Sequence, residues 1–146
     1  MQIRDINTDD IPAIVQMLQE MRMESPTYNS CDDNPLYVSE MLSQYLEVGA
    51  LQGVISDTGF MLAGVGAPWY DARPVATEQV LYVRRAARGG LGAVRLIRAL
   101  ENQVAASGAR RLYVGASAGI QDERAELLYE KLGYVREGKH LYKELF

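Results

Sequence analysis

Residues 81–100, LYVRRAARGGLGAVRLIRAL, constrain the fold more than any other stretch, because they change character within a few positions. The segment opens as an apolar strand end, Leu81-Tyr82-Val83, passes through Arg88-Gly89-Gly90-Leu91-Gly92, and continues with Leu91, Val94, Ile97 and Arg98 at helical spacing. A strand, a glycine-rich turn and a helix follow one another. The first amides of such a helix lack intrahelical acceptors and sit at the positive end of its dipole. The turn is therefore expected to bind an anion, most naturally a phosphate. Between Glu78 and Glu101 there is no acidic residue, while Arg84, Arg85, Arg88, Arg95 and Arg98 supply a third of the chain's fifteen basic residues. The expected ligand is strongly anionic. Glycines at a strand-to-helix turn also serve close packing alone, and these residues by themselves leave that reading open.

Two familiar phosphate motifs do not fit. No Lys-Ser/Thr pair follows the glycines, as a P-loop requires, and neither a third glycine nor an acidic residue stands where a dinucleotide site needs it. A diphosphate cradle of another kind remains.

The pattern Leu81-x-Val83-x-x-x-x-Arg88-x-x-x-x-Ala93 resembles the acyl-CoA-binding motif of the GNAT superfamily of N-acyltransferases, Arg/Gln-x-x-Gly-x-Gly/Ala after a strand ending in Val. Further along, Asp122-x-x-Ala125-x-x-x-Tyr129-Glu130-Lys131-Leu132-Gly133-Tyr134 is similar to that family's second signature, a helix with Asn, Ala and Tyr followed by Lys-x-Gly-Phe/Tyr. One strand separates the two, and together they are far more specific than either alone. Three positions depart from the pattern: Leu91 stands at the central glycine, Arg85 at a common proline, and Asp122 at the usual asparagine. A shift by one restores Gly90-x-Gly92 but moves Arg88 out of its place.

Length and composition agree with such a chain. With 146 residues, 48% of them hydrophobic, a single domain over residues 1–146 with one core is expected. No apolar run approaches the roughly 18 residues of a membrane span, and no signal-peptide pattern follows Met1. A soluble, cytoplasmic protein without membrane partners is the expectation. The one cysteine, Cys31, excludes an internal disulfide, and the one histidine, His140, is distant in sequence, so neither a Cys/His pair nor a metal site is expected. The net charge of −4 conceals −9 over residues 1–72 and +5 over residues 73–146. Solvated helix faces account for part of this; the rest suits an anionic coenzyme on one side and a cationic amine on the other. The acidic half argues against nucleic acid as a partner.

The patterns predict strands at residues 2–7, 50–56, 60–67, 77–83 and 111–116, and a final hairpin of residues 134–136 and 140–144 around Glu137-Gly138-Lys139. They predict helices from a Thr8 or Asp9 cap to before Pro26, from Pro35 with Val38, Met41, Leu42 and Tyr45 inward, from the glycine turn to Ser107-Gly108, and over residues 121–132. This order is mixed α/β. It coincides with the GNAT arrangement, which implies a mostly antiparallel sheet of about seven strands with a splayed central pair, flanked by about four helices.

The resemblance implies that the backbone of Leu81, Tyr82 and Val83 receives the pantetheine arm of acetyl-CoA. The turn of Arg88, Gly89, Gly90, Leu91, Gly92 and Ala93 receives the pyrophosphate, and Asp122 also faces the coenzyme. The activity implied is transfer of an acetyl group to a primary amine, without a metal. An amine with pKa near 10 must first lose a proton. Glu78 is the candidate base, although strand parity leaves open whether it faces the site. Tyr129 is the candidate acid for the leaving thiolate, or else a packed core tyrosine. Loops 26–35 and 68–74 offer Tyr28, Asp32, Asp33, Trp69, Tyr70 and Asp71 to a small-molecule or peptide amine. The sequence leaves open whether the final hairpin and the sheet edges support a homodimer, as the resemblance implies for many relatives. The rival reading, favoured by Leu91 and Asp122, is a GNAT-shaped acyl-CoA-binding or protein-interaction module without turnover.

Overall fold

A computed structural model describes every residue except Met1, Ser30, Asp32, Ser117, Ala118, Gly119, Gln121 and Phe146. Asp32, a candidate in the first acceptor loop, and Gln121, the expected first residue of the last helix, therefore lie outside the described residues.

The chain enters through β1 (Arg4–Asp5) and turns at once into a capped helix. Asn7 Oδ1 accepts the amide of Asp9 at 2.8 Å, and the Asp10 carboxylate accepts the amide of Asn7 at 2.9 Å. This is a reciprocal capping box around the 3₁₀ turn Thr8–Asp10. The cap is thus Asn7, one residue before the expected Thr8 or Asp9, because its short amide reaches the amide two positions on. Asp10 is buried and receives Arg4 Nη1 at 2.8 Å. α1 (Ile11–Glu24) starts with Pro12 in its first turn, where no amide is needed. It buries Ile11, Ile14, Met17 and Met21, and α2 (Pro35–Glu47) buries Leu42 with Val38 and Met41 beside it. Tyr45 of α2 is half-exposed, contrary to its spacing.

β2 (Leu51–Ile55), β3 (Gly59–Gly66) and β4 (Val75–Val83) continue an antiparallel sheet in the order β1-β2-β3-β4, and β5 (Leu112–Tyr113) pairs with β4 in parallel. At Gly59 a Cβ would stand 2.6 Å from the Tyr82 carbonyl oxygen, so only glycine lets the start of β3 lie this close to the end of β4. β3 is buried on both faces: Phe60 and Leu62 pack under α1 and α2, while Met61 and Ala63 pack on the other side. That other side is covered by α3 (Gly92–Ala106), through Leu96, Ile97, Leu100 and Val104, and by α4 (Asp122–Lys131), through Tyr129. Four helices and the mixed sheet follow the expectation; the strand count does not. Five strands form among the described residues. β5 is cut to two residues, and residues 134–145 form no ladder. Val135 and Leu141 are 90% and 96% exposed. The turn at Gly138 is present, with φ +68°, but a lone hairpin without a matched edge to dock on is marginal in water.

Two irregularities of β4 position the site. Its pairing with β5 is confined to Ala76↔Leu112 and Thr77↔Tyr113, after which β4 runs on alone to Val83 and the two strands part. One residue later the ladder with β3 slips: Leu62 pairs with Val80 and Ala63 with Glu78, which leaves Gln79 as a bulge. A one-residue slip exchanges the faces of a strand. Val80 and Tyr82 therefore join the α1/α2 core, while Ala76 and Glu78 turn to the α3/α4 side. Strand parity counted straight through the sequence puts Glu78 on the same side as Tyr82. The bulge removes that contradiction.

The N-terminal cap is testable. Asn7→Ala should cost about 1 kcal/mol and lower the melting temperature by roughly 2–4 °C. The hydrogen bond from Arg4 holds the Asp10 carboxyl below its usual range. Its stabilisation is complete above the unfolded pKa of about 4 and is lost as the pH falls through the lower folded value. In urea titrations across acid pH, Asp10→Asn should flatten this limb of the stability curve.

Candidate active site

A cavity of about 380 Å³ opens between β4, the turn that follows it and the inner stripe of α4. Leu81, Tyr82 and Val83 form its floor, and Arg88, Gly89, Gly90, Gly92 and Ala93 form one wall. Eight of the ten coenzyme candidates thus surround one space. Leu91 does not: it is the N-cap of α3 and 62% exposed, and it offers no side-chain acceptor to the helix's first amides. Asp122 heads α4 and is not on the wall either. Gly89 has φ +95°, and a Cβ on Gly89 or Gly90 would meet open space. The turn therefore exposes backbone instead of packing it away, which favours an anion cradle over close packing as the reason for the glycines.

The far wall was missed in the sequence reading as a binding surface. Arg124, Ala125, Leu128 and Lys131 of α4 line it, with Met21 of α1 and Ile120 at the sides. Their spacing marks one helical stripe, which was the available signal.

Arg88 is held firmly. Its Nη2 lies 2.6 Å from Glu24 Oε2, its Nε donates to the Val83 carbonyl at 2.8 Å, and its guanidinium stands 5.4 Å from the Tyr82 ring centroid. The Tyr82 hydroxyl donates to the other Glu24 oxygen at 3.3 Å. Glu24, at the end of α1, thus ties the acidic half of the chain to the glycine turn. Burial pushes the Tyr82 hydroxyl above its usual range, with Glu24 adding to it.

At the splay, Glu78 spans the gap between the strands. Its Oε1 accepts the amide of Gly115 at 2.8 Å, and its Oε2 accepts the hydroxyl of Tyr129 at 3.0 Å. Burial raises the Glu78 pKa, while the two hydrogen bonds pull it back. Burial and the adjacent carboxylate raise the Tyr129 pKa far above that of a free phenol. At neutral pH Tyr129 therefore holds its proton as a donor. Its ring meets Tyr134 edge-on at 5.3 Å, and the Tyr134 hydroxyl donates to Glu101 Oε2 at 2.7 Å. The two candidates singled out for acid–base chemistry are hydrogen-bonded partners. Neither lines the cavity itself: Leu128, next to Tyr129 on α4, does, and on β4 the lining begins at Leu81, three residues beyond Glu78.

The acceptor candidates are less united. Tyr70 and Tyr113 share a hydroxyl–hydroxyl bond of 2.7 Å, Arg111 donates to Tyr113 at 3.1 Å, and Trp69 meets the Tyr70 ring edge-on while 96% exposed. Tyr113, which the sequence did not single out, sits opposite Thr77 at the start of the splay. Asp71 is engaged by Arg73 and Arg110 at 3.0 and 3.1 Å, and the hydrogen bonds from Arg73 bring its pKa to about 2. Its charge is compensated within the loop. Tyr28 lies on the turn after α1, its amide donating to Ser25 Oγ, and Asp33 receives Gln19 at 3.3 Å.

The family model described as Acetyltransferase (GNAT) family matches residues 15–134. No curated protein matches the chain by sequence. Among solved structures, the fold is similar to that of an aminoglycoside acetyltransferase from an uncultured soil metagenomic sample, at 23% identity over 99% of this chain and 98% of that one, TM-score 0.74. It is also similar to a predicted acetyltransferase from Clostridium acetobutylicum solved with acetyl-CoA, at 14% identity over 99% and 96% of the chains, TM-score 0.79. A third is AAC(6′)-Iy in complex with the bisubstrate analog CoA-S-monomethyl-acetylneamine, at 18% identity over 98% and 96%, TM-score 0.73. At these identities the likeness is one of fold. The family match spans both the glycine turn and the tyrosine helix, and on that ground the chain belongs to the GNAT acetyltransferase family.

Proposed function

We propose that this protein transfers an acetyl group from acetyl-CoA to a primary amine by direct attack on the thioester. The observation that carries the reading is the Glu78–Tyr129 hydrogen bond, set where β4 and β5 part and beside a cavity with an anion cradle. Leu81, Tyr82 and Val83 hold the pantetheine arm, and the amides from Gly89 to Ala93 hold the pyrophosphate. Bound acetyl-CoA supplies an activated acyl carbonyl with a thiolate as leaving group.

The chain's own part is to position the reactants and manage two protons. One must leave the amine nitrogen and one must reach the sulfur. Glu78 is charged while it accepts from Tyr129, and its raised pKa makes it a better base than an exposed glutamate. When Glu78 takes the amine proton, it becomes a donor to the Tyr129 oxygen, which frees the tyrosine's own proton for the sulfur. The net transfer is one proton from nitrogen to sulfur. Glu78 and Tyr129 both return to their starting state.

Three arguments bear on the acceptor. Relatives in fold include aminoglycoside acetyltransferases, the Trp69–Tyr70–Tyr113 cluster offers an aromatic wall, and Asp71 is already compensated. They favour a small-molecule or peptide amine held by aromatic and hydroxyl contacts over one held by Asp71.

The direct test is release of free thiol from acetyl-CoA across an amine library. Turnover with at least one amine is expected; coenzyme binding without turnover on any would support a binding module instead. Tyr129→Phe should lower kcat by about 10²–10⁴-fold and keep acetyl-CoA affinity, with roughly 1 kcal/mol of stability lost from the buried hydrogen bond. Carboxyl infrared titration should place Glu78 above the usual glutamate range. Tyr129→Phe should raise it further, since the lost hydrogen bond favours the charged form. The acid limb of kcat/KM should then sit at the wild-type value of this group, with activity rising as the pH increases through it.

A further inference from the structure

The two cations on α4 are unlike the other basic residues of the cleft. Arg88, which also lines the cavity, is paired with Glu24, and the nearby Arg84 and Arg110, outside its lining, are paired with Glu20 and Asp71. Arg124 and Lys131 line the cavity, and among the described residues neither has a salt bridge. The sequence shows why. Acidic partners on a helix stand three or four residues away, and those positions are Ile120, Gln121, Leu127 and Leu128 for Arg124, and Leu127, Leu128, Tyr134 and Val135 for Lys131. Glu126 and Glu130 of the same helix are bound instead by Arg136 at 3.1 and 2.8 Å. α4 therefore carries an ion-paired face and a cationic face, and the cationic face is the one on the cavity.

Arg124 and Lys131 are two helical turns apart, on the order of 10 Å along the axis. Leu127 lies between them and lines the same cavity, 58% exposed. An exposed apolar side chain between two cations without salt bridges suits a purine bearing a phosphate. If acetyl-CoA is the donor, its pyrophosphate is served by the α3 amides across the cavity, and one phosphate is left over. We infer that Arg124, Leu127 and Lys131 form the site for the 3′-phosphoadenosine end of the coenzyme, so that the protein selects coenzyme A over 3′-dephospho-coenzyme A. This rests on the proposed use of acetyl-CoA and adds the element that tells the two nucleotides apart.

Calorimetric titration of the full chain with each nucleotide, without an amine, tests the inference apart from activity. Wild type should bind coenzyme A roughly tenfold or more tightly than 3′-dephospho-coenzyme A, the scale of one charge-assisted contact. In the double variant Arg124→Ala, Lys131→Ala that preference should collapse towards one, through loss of coenzyme A affinity, while 3′-dephospho-coenzyme A binding stays close to wild type. Both residues are exposed on the helix, so folding is not at risk, and the melting temperature checks it. Equal affinity of wild type for the two nucleotides would overturn the inference. So would an equal loss for both in the variant, which would assign these cations to the pyrophosphate instead. Binding of neither nucleotide would overturn the acetyl-CoA reading itself.

Discussion

The carboxylate of Glu78 bridges two strands that no longer pair. β4 and β5 share only two register positions, and beyond them the sheet has a gap that exposes backbone amides to be satisfied. Glu78 fills one of these by accepting the amide of Gly115 and, with its second oxygen, fastens the hydroxyl of Tyr129 from the helix above. A single side chain thus closes the splay and docks α4. It also fixes a proton donor beside a proton acceptor. The arrangement exists because Gln79 is looped out; without that bulge the carboxylate would lie with Tyr82 on the α1/α2 side. A local fault in the ladder is what turns this carboxylate toward Tyr129.

The second organising feature is charge. The acidic first half and basic second half are less a pair of separate fields than complementary surfaces. Glu20 meets Arg84, Glu24 meets Arg88 and Arg85, and Asp71 meets Arg110. These contacts join α1 and the loop before β4 to the glycine turn and to the approach to β5. After this pairing, the cavity keeps Arg124 and Lys131 as its uncompensated cations among the described residues, opposite the uncapped start of α3. The expectation that charge asymmetry reflects two ligands was therefore only half the account. Much of it is spent inside the molecule.

What was legible in the sequence was whatever is local and periodic. The strand–glycine turn–helix unit placed eight of ten coenzyme candidates on one cavity, and Val38, Met41 and Leu42 of α2 face inward as their spacing predicts, whereas Tyr45 and, at the start of α3, Leu91 do not. Non-local features were not legible. The bulge at Gln79 depends on how β3 and β4 register, which no period-two count reveals. The final hairpin has the right alternation and turn, yet β5 offers only two residues of edge, so Val135 and Leu141 stay exposed. Asp71 reads as an amine-binding acid until Arg73 and Arg110 are seen to hold it. The role of the α4 cations is not legible either, because it depends on which helix face meets the cavity and on Arg136 engaging Glu126 and Glu130.

The central claim is that Glu78 and Tyr129 act as one proton-transferring unit. A double-mutant cycle on kcat tests it most directly, with Glu78→Gln, Tyr129→Phe and both together measured at saturating acetyl-CoA and a turned-over amine. If the two residues share one relay, breaking either link stops it, and the double variant should be within a few-fold of the slower single variant. Losses that multiply, so that the double variant is slower by the product of the two single effects, would show two independent contributions and contradict the relay.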